Sequence, residues 1–196
     1  MVDYHDLMGW GLNKKALFLL VYLMTMAFIS ASGHAQNTAM RVKIGEKAPD
    51  FTLQDLRTGK YVRLYDLVGK KVIMLDFWAP FCDICKKEMP GLVQAYNRYR
   101  EKGFELLSIV VYSGDLKDVR DIMEAEKLNY PVLYDKDFYV AMRLYRLAGP
   151  IPVKVIIDYR GIVRYTHAGD HPPQGNEVPF VLESLIAEMK GGLQKD

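Results

Sequence analysis

The stretch from Val72 to Ala79, VIMLDFWA, is a continuous apolar run with one charge inside it, and no other feature restricts the fold as much. A strand with one wet face alternates apolar and polar residues. One without alternation is covered on both faces, like the central strands of sheets flanked by helices. The run leads directly into PFCDIC, where Cys82 and Cys85, the chain's two cysteines, stand three positions apart. From Cys82 to about Lys102, Met89, Leu92, Val93 and Tyr96 keep helical spacing, with Pro90 as a predicted kink. A buried strand therefore delivers a pair of thiols to the first turn of a helix.

The rest of the chain after residue 36 alternates in the same way. Residues 44 to 71 carry short alternating segments around Thr58-Gly59-Lys60, which predict an extended arm and a hairpin. FELLSIVVYS (104 to 113) is a second buried strand, DLKDVRDIMEAEKL (115 to 128) a helix with a polar face, and YPVLYD (130 to 135) a short strand. FYVAMRLYRL (138 to 147) predicts a short helix, VKVIIDYRGIVRYTH (153 to 167) a hairpin turned by Tyr159-Arg160-Gly161, and Pro179 to Lys190 an amphipathic closing helix. The order β-α-β-α-β-α-β-β-α describes an α/β sandwich with a central mixed sheet flanked by helices.

Before this part, Lys14 and Lys15 precede an uncharged apolar run from residue 16 to 31. Gly33 and Ala35 are then placed three and one before a plausible cut ahead of Gln36. Residues 1–35 therefore predict a secretion signal or a membrane anchor, the run being slightly short of the roughly 20 residues that span a bilayer. Either one delivers residues 42–190, a single domain, outside the cytoplasm, to the periplasm or the outer face of the membrane. Only the N-terminal segment would touch the membrane. With 26 basic against 24 acidic residues and no block of like charge, nucleic acid is not an expected partner.

Three chemistries compete for the thiol pair. A structural disulfide across three residues closes a tiny loop and removes little unfolded-chain entropy, so it is a poor staple. A metal site could draw on His167 and His171, which complete Cys-x2-Cys with His-x3-His. The two halves, however, lie much farther apart than the roughly 12 to 15 residues a zinc finger allows. A redox pair fits best. The helix N-terminus exposes free N–H groups and positive potential that stabilise a thiolate, which makes Cys82 the nucleophile. Cys85, one turn inside, is placed to attack a mixed disulfide on Cys82 and release the partner. An oxidising compartment and the lack of other thiols suit this reading.

DFWAPFCDICKKEMP resembles the active-site segment of thioredoxin-fold proteins. With GEKAPDFTL, YPVLYDKD and IPVKVIID, the wider pattern resembles the TlpA/ResA class of extracytoplasmic thiol-disulfide oxidoreductases, relatives of the AhpC/TSA redoxins. The resemblance covers roughly residues 42 to 190. It implies the thioredoxin fold with an N-terminal hairpin and a central βα insertion within residues 104 to 136. It implies that Cys82 and Cys85 are the attacking and resolving thiols of a redox-active disulfide, with no other cofactor. Pro152 matches the cis-proline facing the disulfide, although an X-Pro bond is otherwise expected to be trans. Ile151 before it would offer backbone groups to an extended substrate by β-augmentation. Trp78 is placed with Ile151 and Pro152 on the substrate side, and it matches a packing position as well.

Asp76 occupies the place of thioredoxin's buried carboxylate, a proton acceptor for Cys85 if desolvation raises its pKa, or a strand-end carboxylate paired with a surface lysine. Glu88 matches an acidic position one turn beyond Cys85, or is an exposed helix glutamate. The chain departs from the class at Pro150, at Phe81 and at Val153-Lys154-Val155, where Thr-Thr-Phe is usual. Asp76, Asp83 and Glu88 oppose the helix dipole while Lys86 and Lys87 reinforce it, which predicts a reductant. Its expected clients are disulfide-containing exported proteins, in the class including those of cytochrome c maturation, and its expected electron donor is a membrane thiol reductase. The rivals are a thiol peroxidase, which wants a threonine where Ala79 stands, and a metal chaperone on the same fold, which uses a wider cysteine spacing.

Overall fold

The computed structural model describes residues 42–170 and 177–193. The predicted leader and His171 lie outside the described residues. Within them, strands β1 (Thr52–Asp55), β2 (Tyr61–Arg63), β3 (Val72–Trp78), β4 (Phe104–Val110), β5 (Val132–Tyr134), β6 (Val153–Ile157) and β7 (Val163–Ala168) form one sheet. Its order is β2-β1-β5-β4-β3-β6-β7. β3, β4 and β5 run parallel, whereas β6 pairs antiparallel with β3, β7 with β6, and β1 with both β5 and β2. The helices are α1 (Asp83–Tyr99), α2 (Leu116–Ala125) and α3 (Val178–Leu193). This is the expected α/β thioredoxin fold. The hairpin β1–β2 stands at one edge, and the inserted α2 and β5 carry the sheet from β4 out to it.

β3 is buried along its whole length and paired on both sides, which is why its sequence does not alternate. Its side chains still divide by parity. Val72, Met74 and Trp78 join the core beneath the helices, with Met89 and Leu92 of α1 and Leu182 and Ile186 of α3. Ile73, Leu75 and Phe77 join the opposite core, with Phe51, Val140 and Tyr145. Asp76 falls on the helix-covered face, the same side as the cysteines.

Two differences from the sequence expectations concern local structure. FYVAMRLYRL becomes a π-helical segment, Tyr139–Leu144, rather than an α-helix. Phe138 enters it with φ 54°, and the buried Asp135 carboxylate accepts the N–H groups of Val140 and Ala141 at 3.2 and 2.8 Å. The helix from Cys82 stops at Tyr99, and Arg100–Lys102 tighten into a 3₁₀ turn ending at Gly103 with φ 100°. A side chain there would meet the left-handed penalty and the Met189 methyl. The predicted turn at Tyr159-Arg160-Gly161 forms, with Gly161 at φ 84°.

Candidate active site

β3 ends at Trp78, and a short turn through Ala79, Pro80 and Phe81 leads to Cys82, which caps α1. The Cys82 N–H donates to the Ala79 carbonyl at 3.0 Å, and the Lys86 N–H donates to the Cys82 carbonyl at 3.2 Å. The Cys82 sulfur itself accepts the Cys85 N–H at 3.2 Å, an anion-stabilising position at a helix N-terminus. The two cysteines form a disulfide with Cα atoms 5.3 Å apart. Cys82 retains 9 % exposure and Cys85 only 3 %, so an incoming thiolate meets Cys82 first. Phe81 is exposed and Ile84 partly so beside it.

The second wall comes from the loop before β6. Its Ile151–Pro152 bond is cis, as the resemblance implied, and the Ile151 carbonyl oxygen lies 3.8 Å from the Cys82 sulfur. Pro152 is buried and Ile151 half-buried, so a main-chain acceptor faces the sulfur at the rim of the site.

Behind the disulfide lies a charge cluster that the sequence reading caught only in part. Asp76 on β3 stands directly opposite Lys154 on β6, and the ammonium approaches its Oδ1 at 3.3 Å. The same ammonium donates to Glu88 on α1. Asp76 and Lys154 side chains are 3 % and 5 % exposed and Glu88 20 %, so the partner of Asp76 is a buried lysine, not a surface one. Nor is Glu88 a free helix glutamate. Burial pushes the Asp76 carboxyl above its ordinary value, with Lys154 pulling it down and Glu88 pushing it further up. Burial works against the Lys154 ammonium, but the Asp76 and Glu88 charges outweigh it and hold its pKa above the usual value. Asp76 Oδ1 has no hydrogen-bond partner among the described residues beyond its ion pair with Lys154, and the buried Tyr130 hydroxyl has none among them. Asp76 is near enough to Tyr130 to push the phenol's proton affinity up, after the larger effect of burial.

Trp78 is corrected by its surroundings. It is fully buried, and its Nε1–H donates to Ser108 Oγ at 2.7 Å, so its ring belongs to the core that also holds the two cysteines and has no surface to offer a substrate. The expected excess of negative charge is also corrected. Asp83 pairs with Lys86 at 2.8 Å, which holds its carboxyl below the usual range. With Lys154 between the other two carboxylates, the acidic groups are matched by ammoniums. Lys154 was missed because its strand position looked like a substrate-contact change. Its signal was a lone charge inside VKVII, opposite the lone charge inside VIMLDFW.

Comparison with known proteins agrees with this geometry. Residues 44–166 match the AhpC/TSA family. The thiol-disulfide oxidoreductase ResA of Bacillus anthracis is 37% identical over 149 residues, covering 76% of this chain and 83% of that protein. ResA of Geobacillus thermodenitrificans is 34% identical over 154 residues, 78% and 84% of the respective chains. Among solved structures, the thioredoxin domain of a Bacteroides vulgatus thiol-disulfide oxidoreductase superposes with a TM-score of 0.64 at 25% identity, covering 74% of this chain and 99% of that one. Sheet order, the Cys82–Cys85 disulfide and these similarities together place the chain in the AhpC/TSA family and, within it, in the TlpA/ResA class of thioredoxin-fold thiol-disulfide oxidoreductases.

Proposed function

We propose that this enzyme works outside the cytoplasm as a reductant of disulfides in exported proteins. The observation that carries the reading is the Cys82 sulfur, capping α1 and facing the Ile151 carbonyl at 3.8 Å. An extended client strand lying along Ile151 would hold its own disulfide against that sulfur by main-chain hydrogen bonds, with little demand on side chains. In the reduced enzyme, the Cys82 thiolate attacks one client sulfur and the second client sulfur leaves as a thiolate. Cys85 then gives its proton to Asp76 and attacks Cys82, which breaks the mixed disulfide and releases the fully reduced client. The enzyme is left as the Cys82–Cys85 disulfide. Two electrons from a dithiol donor, which we assign to a membrane thiol reductase, restore it.

The direction is supported by charge balance. A strong oxidant stabilises its attacking thiolate heavily, whereas the carboxylates and ammoniums around this pair cancel and leave mainly the helix N-terminus. The basic, apolar and small-residue pattern of residues 14 to 36 supports an extracytoplasmic location, by secretion or by anchoring. Clients in cytochrome c maturation are one group with suitable chemistry, held here as a proposal from the resemblance.

Trapping tests the reading. A Cys85→Ala variant, expressed in cells with its leader intact, should accumulate mixed disulfides through Cys82 that dithiothreitol releases, with exported proteins among the adducts. Absence of adducts from Cys85→Ala, or adducts that persist in Cys82→Ser/Cys85→Ala, would overturn it.

A further inference from the structure

We propose that the aromatic-walled cavity between Phe81 and Tyr112, beside the attacking sulfur, is a specificity pocket. Its occupant is a lysine or arginine side chain of the client, carried within two residues of the cysteine that Cys82 attacks. The proposal rests on the reading given above of a client strand lying along Ile151, and it adds the kind of sequence that strand carries.

Sheet order sets the position. β3 lies between β6 and β4, so the turn that carries Cys82 has the Ile151 wall on its β6 side. On its β4 side runs the segment from Val111 to Asp115 that joins β4 to α2, tied to the root of the turn by the Val111 N–H, which donates to the Trp78 carbonyl at 2.8 Å. Phe81, next to Cys82, is 72 % exposed, and its ring centroid lies 6.4 Å from that of Tyr112. The two rings, with Pro80 and with Asp118, Asp121 and Ile122 of α2, line an open cavity of about 380 Å³, which has room for one long side chain. A client residue one or two places from its cysteine falls within about 7 Å of it along an extended strand, and a long side chain from there reaches the cavity.

The chemistry of the lining selects the occupant. The Tyr112 hydroxyl donates to Asp118 Oδ2 at 2.8 Å, and its ring lies over Gly114, where a β-carbon would collide with the phenol. The bond to Asp118 pushes the Tyr112 pKa up, so the hydroxyl stays a donor and the ring stays neutral. Two aromatic faces followed by two carboxylates suit a side chain with an apolar stem and a cationic head. Its methylenes would lie against Pro80, Phe81 and Ile122, and its charge against the ring faces, Asp118 and Asp121. An aliphatic residue would gain nothing from the carboxylates, and an acidic one would meet like charge.

The cations already present do not fill this role. Asp115, Asp118 and Asp121 recur at helical spacing along one face of α2, and Asp115 caps the helix by accepting the Lys117 N–H at 2.8 Å. The Lys117 ammonium reaches Asp121 at 2.5 Å, but neither it nor Arg120 lines the cavity. Asp118 has the neutral Tyr112 hydroxyl as its partner and forms no salt bridge among the described residues. Asp83, on the neighbouring first turn of α1, is matched by Lys86. The unmatched negative charge beside the attacking sulfur is therefore concentrated at the Phe81–Tyr112 cavity.

The test uses the reduced full-length protein and glycine peptides with one cysteine, blocked as its mixed disulfide with thionitrobenzoate. Each peptide carries Arg, Leu or Glu at one position, either one or two places before or after the cysteine. Cys82 attacks the peptide sulfur, thionitrobenzoate leaves, and its absorbance gives a second-order rate constant; Cys85 then releases the peptide thiol and the enzyme disulfide forms. At one of the four positions Arg should react about tenfold faster than Glu, with Leu between them, and added salt should narrow the gap. Asp118→Lys/Asp121→Lys should reverse the order, and Tyr112→Leu should shrink the advantage of Arg over Leu. Equal rates for the three residues at every position overturn the pocket, as does an Arg advantage of the same size at all four, which marks general attraction. An order unchanged in Asp118→Lys/Asp121→Lys overturns it too. Should that variant not fold, the wild type decides, because an Arg-to-Glu ratio insensitive to salt contradicts the proposal. Peptides that react with Cys82→Ser as fast as with wild type would instead remove the client reading on which the pocket rests.

Discussion

Trp78 and Lys154 are both buried polar side chains, and their partners separate their roles. The indole N–H of Trp78 is satisfied by Ser108 across the β3–β4 pair, which fixes the ring as packing. Trp78→Phe would leave the buried Ser108 hydroxyl unpaired and should cost about 1–3 kcal/mol of stability, measurable by urea denaturation, while the Cys82 attack rate stays as in wild type. A slowed attack with unchanged stability would return Trp78 to the substrate side. Cys82, Cys85, Asp76, Glu88, Ile151 and Pro152 were all legible in the sequence as positions, because a strand, a helix start and a proline fix where they fall. The Asp76–Lys154 pair was less so. It depends on which residues of β3 and β6 stand opposite each other, a register that neither segment encodes by itself.

At the level of elements, the turn between β6 and β7 shows what holds the far end of the sheet. The side chain of Asp158 is 1 % exposed. It accepts the N–H groups of Arg160 and Ile162 at 3.0 Å each and the guanidinium of Arg164 at 3.0 Å. Burial pushes its carboxyl up, but these donors outweigh burial and hold it below the ordinary value. A depressed folded value means the unfolded chain binds the proton more tightly. The stabilisation is therefore present above the unfolded pKa of about 3.9 and is lost as pH falls through the folded value. Asp158→Asn should lower stability by about 2 kcal/mol at pH 7, and the gap from wild type should shrink as pH falls below the ordinary carboxylate value; a gap independent of pH would contradict this. The turn itself was predicted, since Gly161 announces it. The π-helical segment was not: apolar spacing in FYVAMRLYRL gives helix, whereas its hydrogen-bond register is set by Asp135, which reaches in from the end of β5.

Across the whole molecule, the sheet divides labour between its faces. One core ties the N-terminal arm, the hairpin's supporting residues and the π-helical segment to the back of β3, while the other lays α1 and α3 over the front. That arrangement carries the sulfurs to the end of a fully buried strand and sets the cis-proline loop against them, so the thiol chemistry rests on rigid elements. Fold class could be read because β3, β4 and β6 are apolar on both faces. The charge balance around the site could not, because it depends on which lysine each carboxylate meets. The central claim is that Cys82 is the poised thiol and Cys85 its sheltered partner. Alkylation of the reduced protein by iodoacetamide as a function of pH, followed by peptide mass spectrometry, measures this directly. Cys82 should be modified first, with a midpoint near the thioredoxin value of about 7, well before Cys85. Modification of Cys82 no faster than a free cysteine with its midpoint at about 8.5, or of both residues at equal rates, would contradict the account.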